Sequence, residues 1–228
     1  MKLYLLSTGT IAAIRAPVPV YLIRTDDGDM LVDSGCAPGA QGGIVVAPEQ
    51  HLLPQLAALK VAPEDVRYVI CTHLDPDHCG SHRAFTSARF VVQRTHLDLV
   101  RDDAPPRIAE CRAQWDLPAD RYLPVEGDTE FRPGIELIAS GGHVPGHQSV
   151  LVRLPETGPV LLAGDAIPME IALNPERRPI FPFDMDAAAT RSSTARLTDI
   201  ARRENALVVC GHDGAQWAGL RTAPDFYR

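Results

Sequence analysis

The sequence predicts an α/β protein built as a four-layer αβ/βα sandwich, and three observations carry that expectation. Short apolar strands fall into two runs, one at the start of the chain and one after residue 134. Each run is followed by helical stretches that can cover one sheet face. No linker divides the 228 residues, so 1–228 is expected to form a single domain. Hydrophobic residues make up 45% of the chain, enough to fill the core that such an architecture needs. A net charge of −7 without any lysine/arginine cluster argues against nucleic acid or an anionic membrane as partner. Five cysteines lack CxxC spacing, so neither a disulfide framework nor a thiolate zinc site is expected, and a reducing cytoplasm is the simplest location. No apolar run approaches signal-peptide or membrane-span length.

Taken in order, 2–7, 18–24 and 30–33 read as strands of an opening meander, the last two joined by Asp26-Asp27-Gly28-Asp29. Asp33-Ser34-Gly35 ends the third strand, where Asp33 either caps the turn or aims at a ligand. Residues 37–48 are rich in Gly, Ala and Pro without a period and read as a loop, the candidate lid of any catalytic site. Leu52, Leu53, Leu56 and Leu59 place an amphipathic helix over 48–60, with His51 on its polar face. A buried strand at 67–71 leads into the polar loop described below. Beyond it lie a helical turn at 81–85, a strand at 89–93 and a helix at 94–101, with His82 and His96 read as surface residues. The insert 102–120, carrying Pro105, Pro106 and Pro118, is at most helical, and its role is not readable. Strands at 135–139, 149–154 and 160–163 form a second meander. A helix over 185–204 follows, capped by Asp184 or Asp186, with Ala188, Ala195, Ile200 and Ala201 toward the core, and 207–210 is the final strand.

Chemistry concentrates in Thr72-His73-Leu74-Asp75-Pro76-Asp77-His78-Cys79-Gly80. Two imidazoles and two carboxylates within six positions cannot share one face of a helix or strand, so they imply a loop wrapped around positive charge. Pro76 pushes Asp75 toward an extended backbone. The loop also follows a buried strand, and strand ends are where α/β active sites collect. Three later strand ends repeat the theme: Gly141-Gly142-His143-Val144-Pro145-Gly146-His147, Ala163-Gly164-Asp165 and Cys210-Gly211-His212-Asp213-Gly214. Each sets a His or Asp beside glycine, which lets backbone approach closely. One such site is bland, but four in one chain point to a metal centre.

These residues resemble the metallo-β-lactamase superfamily and, within it, the dinuclear N-acyl-homoserine lactonases. The superfamily pattern H-x-H-x-D-H is matched by His73-Leu74-Asp75-Pro76-Asp77-His78 except at its second histidine. The likeness continues through Val18-Pro19-Val20, Leu31-Val32-Asp33-Ser34-Gly35, Val91-Val92-Gln93-Arg94-Thr95, Glu126-Gly127-Asp128, Pro145-Gly146-His147-Gln148-Ser149 and Gly211-His212-Asp213, and is poor over 36–63 and 102–120. The resemblance implies two divalent ions, with Zn²⁺ expected and Mn²⁺ or Fe²⁺ as options. It implies one ion on His73, His143 and the residue at 75, a second on Asp77, His78 and His212, and Asp165 between them. His147 and Asp33 would orient the ligands from outside. The implied activity is hydrolysis of a small-molecule lactone or related ester by metal-bound hydroxide, with Asp77 shuttling the proton to the leaving alkoxide.

Two departures stand out. Asp75 replaces a histidine: a carboxylate can ligate zinc, but it removes net positive charge and favours harder ions such as Mn²⁺ or Fe²⁺. A rival reading has Asp75 ligating nothing and one ion bound. Pro168 stands where the resembled lactonases place a tyrosine that hydrogen-bonds the substrate carbonyl, a donor that Tyr21 could replace. The same fold also serves glyoxalase II-like thioesterases and iron enzymes that oxidise sulfur. A degenerate member that binds metal or ligand without turnover is the reading of another class.

Overall fold

The structure, a computed structural model, describes residues 1–39 and 42–228. β1 (Lys2–Ile11), β2 (Ala16–Thr25) and β3 (Gly28–Val32) pair antiparallel, as tight hairpins require. β4 (Ile44–Val45) adds an edge to β1, while β5 (Val66–Ile70), β6 (Arg89–Gln93) and β7 (Tyr122–Val125) extend the sheet from β3 in parallel. Parallel neighbours need crossovers, and the helices Leu52–Ala58 and Arg94–Asp103 lie in those connections. The second sheet holds β8 (Thr129–Arg132), β9 (Ile135–Ala139), β10 (Gln148–Leu154) and β11 (Gly158–Leu162) as an antiparallel meander. β12 (Leu207–Val209) joins β11 in parallel after the helix Ala187–Glu204.

The period of two along each strand sorts side chains into the interfaces of four layers. Leu3, Leu5, Tyr21, Ile23, Met30 and Val32 face inward and meet Ile135, Leu137, Val150, Val152, Val160 and Leu162 of the other sheet. The intervening Tyr4, Leu6, Val20, Leu22 and Leu31 face outward beneath Leu52, Leu56, Leu97 and Val100. On the far side Ile138, Leu151 and Leu161 pack under Leu197, Ile200 and Ala201 of the long helix. The αβ/βα sandwich expected from the sequence is therefore present.

Several local expectations change. The helix at 48–60 is a 3-10 turn, Pro48–Gln50, followed by Leu52–Ala58, with Leu53 turned to solvent. The long helix begins at Ala187 and is capped by Asp186 alone, whose carboxylate accepts from the Ala188 and Ala189 amides. Its buried stripe is Thr190, Thr194, Leu197, Ile200 and Ala201; Ala188 and Ala195 are exposed, one position off that stripe. Of the expected lid, 40 and 41 lie outside the described residues, and Ile44–Val45 is an edge strand. Among the described residues no helix is long and apolar enough to cross a membrane.

Candidate metal centre

Every chemistry-bearing loop leaves the same end of the two sheets. After β5 the chain turns into the short helix Pro76–Cys79, with Pro76 at its first position and Asp75 extended before it (φ −67°, ψ 156°), as a residue preceding proline prefers. This turn is pinned to the loop after β3, because the Ser34 amide donates to His78 O (2.8 Å) and the Gly80 amide to Gly35 O (2.7 Å). A Cβ at Gly80 would lie 2.1 Å from the Ala37 nitrogen, so only glycine permits the approach. His143 comes from the β9–β10 loop, Asp165 from the turn after β11 and His212 from the loop after β12. Gly142, at φ +136°, brings the His143 loop so close to Thr190 that a Cβ would sit 2.3 Å from its nitrogen.

Six predicted residues converge in two groups, one of His73, His143 and Asp165, the other of Asp77, His78 and His212. Asp165 faces both. Its Oδ2 lies 3.3 Å from His143 Nε2 and 4.0 Å from His73 Nε2, and its Oδ1 lies 3.1 Å from His212 Nε2 and 3.5 Å from His78 Nε2. Asp77 Oδ2 stands 3.6 Å from His212 Nε2 and 3.7 Å from His78 Nε2. Asp75 joins the first group through the histidines, its Oδ2 being 3.5 Å from His73 Nε2 and 3.3 Å from His143 Nε2. Ligands held at 2.0–2.2 Å around a tetrahedral ion are about 3.3–3.5 Å apart, so most of these separations suit shared coordination.

The outer nitrogens show why the inner ones point inward. His78 Nδ1 donates to Asp33 Oδ2 (2.8 Å), His73 Nδ1 to Thr72 Oγ1 (3.0 Å), His143 Nδ1 to Asp184 Oδ1 (3.3 Å) and His212 Nδ1 to Pro17 O (2.9 Å). Thr72 Oγ1 passes its own proton to Asp33 (2.7 Å), and the Thr72 amide donates to the other Asp33 oxygen (2.7 Å). Each ring is thus held in the tautomer that leaves Nε2 as a lone-pair donor. The buried His73 Nε2, His78 Nε2 and Asp165 Oδ1 make no hydrogen bond. Orphaned buried polar atoms are costly unless a cation satisfies them, so the donor set fits divalent metal.

Charge and burial compete at these groups. Burial pulls His143 down, but Asp165, Asp184 and Asp75 outweigh it and push its pKa up to about 9. His78 and His212 are also raised against burial, by Asp77, Asp165 and Asp33 in the first case and by Asp165 and Asp77 in the second. His147 is held well below its usual range by burial and by the neighbouring His73 and His143. Its Nε2 accepts from the Asp165 amide (3.1 Å) and its Nδ1 donates to Ser140 Oγ (2.8 Å), so it fixes the Asp165 backbone.

Sequence reading missed two contributors, His96 and Asp184. His82 and His96, expected at the surface, are fully buried. His96 Nε2 accepts from the Leu74 amide (3.0 Å) and its Nδ1 donates to Pro145 O (3.0 Å), lacing the His73 loop to the His143 loop. The signal was available: 93, 96, 97 and 100 form a helical stripe, and all four residues are buried. Asp184, expected as a helix cap, instead orients His143 and pairs with the buried Arg178 (3.2 Å). Tyr21 sits in the inter-sheet core with its hydroxyl closed off and unpartnered, so it is no donor at the site's mouth.

Imidazole and carboxylate donors gathered at the strand ends of an αβ/βα sandwich define a metal-binding class. The chain belongs to the metallo-beta-lactamase superfamily, which its residues 14–212 match. It is 33% identical over 224 residues to an N-acyl homoserine lactonase of Bacillus sp., covering 92% of this chain and 86% of that protein. To N-acyl homoserine lactonase AttM of Azorhizobium caulinodans it is 31% identical, covering 100% and 98%. A crystal structure of a quorum-quenching N-acyl homoserine lactone lactonase superposes with a TM-score of 0.86 at 30% identity, over 99% of this chain and 98% of that one. An N-acyl homoserine lactone hydrolase with N-hexanoyl-L-homoserine bound at its catalytic metal centre gives 0.86 at 29% identity and the same coverage.

Proposed function

We propose that residues 1–228 form one metal-dependent hydrolase domain that opens the ring of N-acyl-homoserine lactones, a quorum-quenching activity. The observation that carries the reading is Asp165, whose two oxygens face separate histidine groups as a carboxylate shared by two ions would. In this reading His73, Asp75 and His143 hold one ion and Asp77, His78 and His212 the other, with Asp33 and His147 as orienting residues. The lactone substrate is supported by relatives that carry that activity across nearly the whole chain. Divalent ions held there, Zn²⁺ first and Mn²⁺ or Fe²⁺ as options, would supply Lewis acidity and make water more acidic. The protein's own residues do the rest. Water oxygen adds to the lactone carbonyl carbon, Asp77 accepts the proton which that oxygen gives up, the ring C–O bond breaks, and Asp77 delivers the same proton to the departing alkoxide. Asp77 suits that task because its side chain is the most exposed of the three carboxylates, at 18% against 8% for Asp75 and 11% for Asp165.

The test is proton release by protein reconstituted separately with Zn²⁺ and Mn²⁺. The panel holds acyl-homoserine lactones, plain γ- and δ-lactones and a glutathione thioester. Metal-dependent release on acyl-homoserine lactones is expected. Turnover of the thioester alone moves the assignment to a glyoxalase II-like enzyme, and silence throughout in folded, metal-loaded protein moves it to a metal- or ligand-binding protein.

A further inference from the structure

Asp75 does not face the histidines alone. Arg107, on the short helix Pro106–Glu110, donates from Nε to the same Asp75 Oδ2 at 2.7 Å. The insert that delivers it is anchored by the buried Ile108 and by Trp115, whose indole nitrogen donates to Ile108 O (2.8 Å). The guanidinium lies 6.0 Å from the Phe183 ring, and its Nη2 is buried without a partner. An arginine stays charged throughout the working pH range and holds a carboxylate in a fixed plane. The positive charge is therefore a permanent part of the first metal position.

Resting on the two-ion reading above, we propose that Asp75 and Arg107 act as one unit in place of an imidazole ligand. Arg107 is the counter-charge that makes the carboxylate electrostatically equivalent to a neutral histidine. Two divalent ions, three carboxylates and a hydroxide sum formally to zero. Arg107 returns the sum to +1, the value of the same centre with histidine at position 75. It also sets the direction of Asp75, since Oδ2 serves Arg107 and both histidines while Oδ1 makes no hydrogen bond. Arg107 is thus a positioning and charge-balancing residue that acts through Asp75.

The test is a double-substitution cycle read by Zn²⁺ affinity, in competition with a chromophoric chelator, on full-length protein. D75H alone leaves the guanidinium facing a cation without its carboxylate, and Zn²⁺ should bind about tenfold or more weakly. D75H/R107M should recover most of that loss, because the repulsion is gone. The isosteric D75N, compared with D75N/R107M, repeats the cycle should histidine disturb the fold, with the double variant again binding more tightly. If R107M leaves Zn²⁺ affinity unchanged or lower in both backgrounds, Arg107 only pins the insert, and the inference is overturned while the metal centre stands. Native protein that takes up no Zn²⁺ overturns both.

Discussion

Asp33 offers the sharpest perturbation of the centre, because it touches the metal position only through its neighbours. Its carboxylate accepts from His78 Nδ1 (2.8 Å), the Thr72 amide (2.7 Å) and the Thr72 hydroxyl (2.7 Å), all buried. It also sits at φ +60°, a conformation that asparagine tolerates better than most residues. Asp33→Asn therefore keeps shape and backbone while replacing one acceptor oxygen with a donor. If the amide oxygen stays on the Thr72 nitrogen, the new NH₂ faces His78 Nδ1 and the Thr72 hydroxyl. His78 must then accept at Nδ1 and carry its proton on Nε2, the atom that points into the centre. Charge-assisted bonds contribute about 1.5–3 kcal/mol each. With two of three compromised and partial rearrangement, the loss should be about 2–4 kcal/mol, roughly 4–16 °C in melting temperature for a chain of this size. Affinity for the ion assigned to Asp77, His78 and His212 in the proposed reading should fall about 10–100-fold, the usual effect of losing an orienting partner. Calorimetry on metal-free protein and chelator competition on reconstituted protein check the two halves separately. D33N that binds two ions with native affinity would show that the Asp33–His78 contact does not set the tautomer.

Two further outcomes are expected. Gly80→Ala must displace the Cys36–Ala37 backbone, which a Cβ would meet at 2.1–2.4 Å, so urea unfolding should show a loss of about 3 kcal/mol; an unchanged midpoint would mean that the two loops are not pinned together. In metal-stripped protein, His143 has a folded pKa raised to about 9, above its unfolded value, so its contribution is complete below about pH 6.5 and lost as pH rises through 9; His78 and His212 act in the same direction. The lowered His73 and His147 contribute above about pH 6.5 and lose stability as pH falls. Thermal unfolding across pH should therefore peak near neutrality, and a flat profile from pH 6 to 9.5 contradicts the assigned charges.

What the sequence revealed was whatever local pattern encodes. Short apolar strands bounded by polar or turn residues, such as Arg89–Gln93 and Ile135–Ala139, were legible to the residue, and so were the glycine-flanked His and Asp at strand ends. Partners fixed by long-range packing were not. Arg107 meets Asp75 across 32 positions from an insert whose proline spacing says nothing of its neighbours, and Asp184 looks locally like one of two equivalent caps. Tyr122–Val125 and Thr129–Arg132 were missed because a proline and two charged residues hide their period. Burial of His82 and His96 was misjudged because a histidine's polarity was weighed above its place in the fold.

The donors are divided between the two sheets: His73, Asp75, Asp77 and His78 ride on the first, and His143, Asp165 and His212 on the second. The layer of Leu, Ile and Val between those sheets is therefore the gauge block that sets the gap across which the centre is assembled. A methyl group added or removed there, far from any imidazole, changes that gap by tenths of an ångström, on the scale that separates a good coordination distance from a poor one. The tolerance of this core to substitution is set as much by the machining of the site above it as by the stability of the chain.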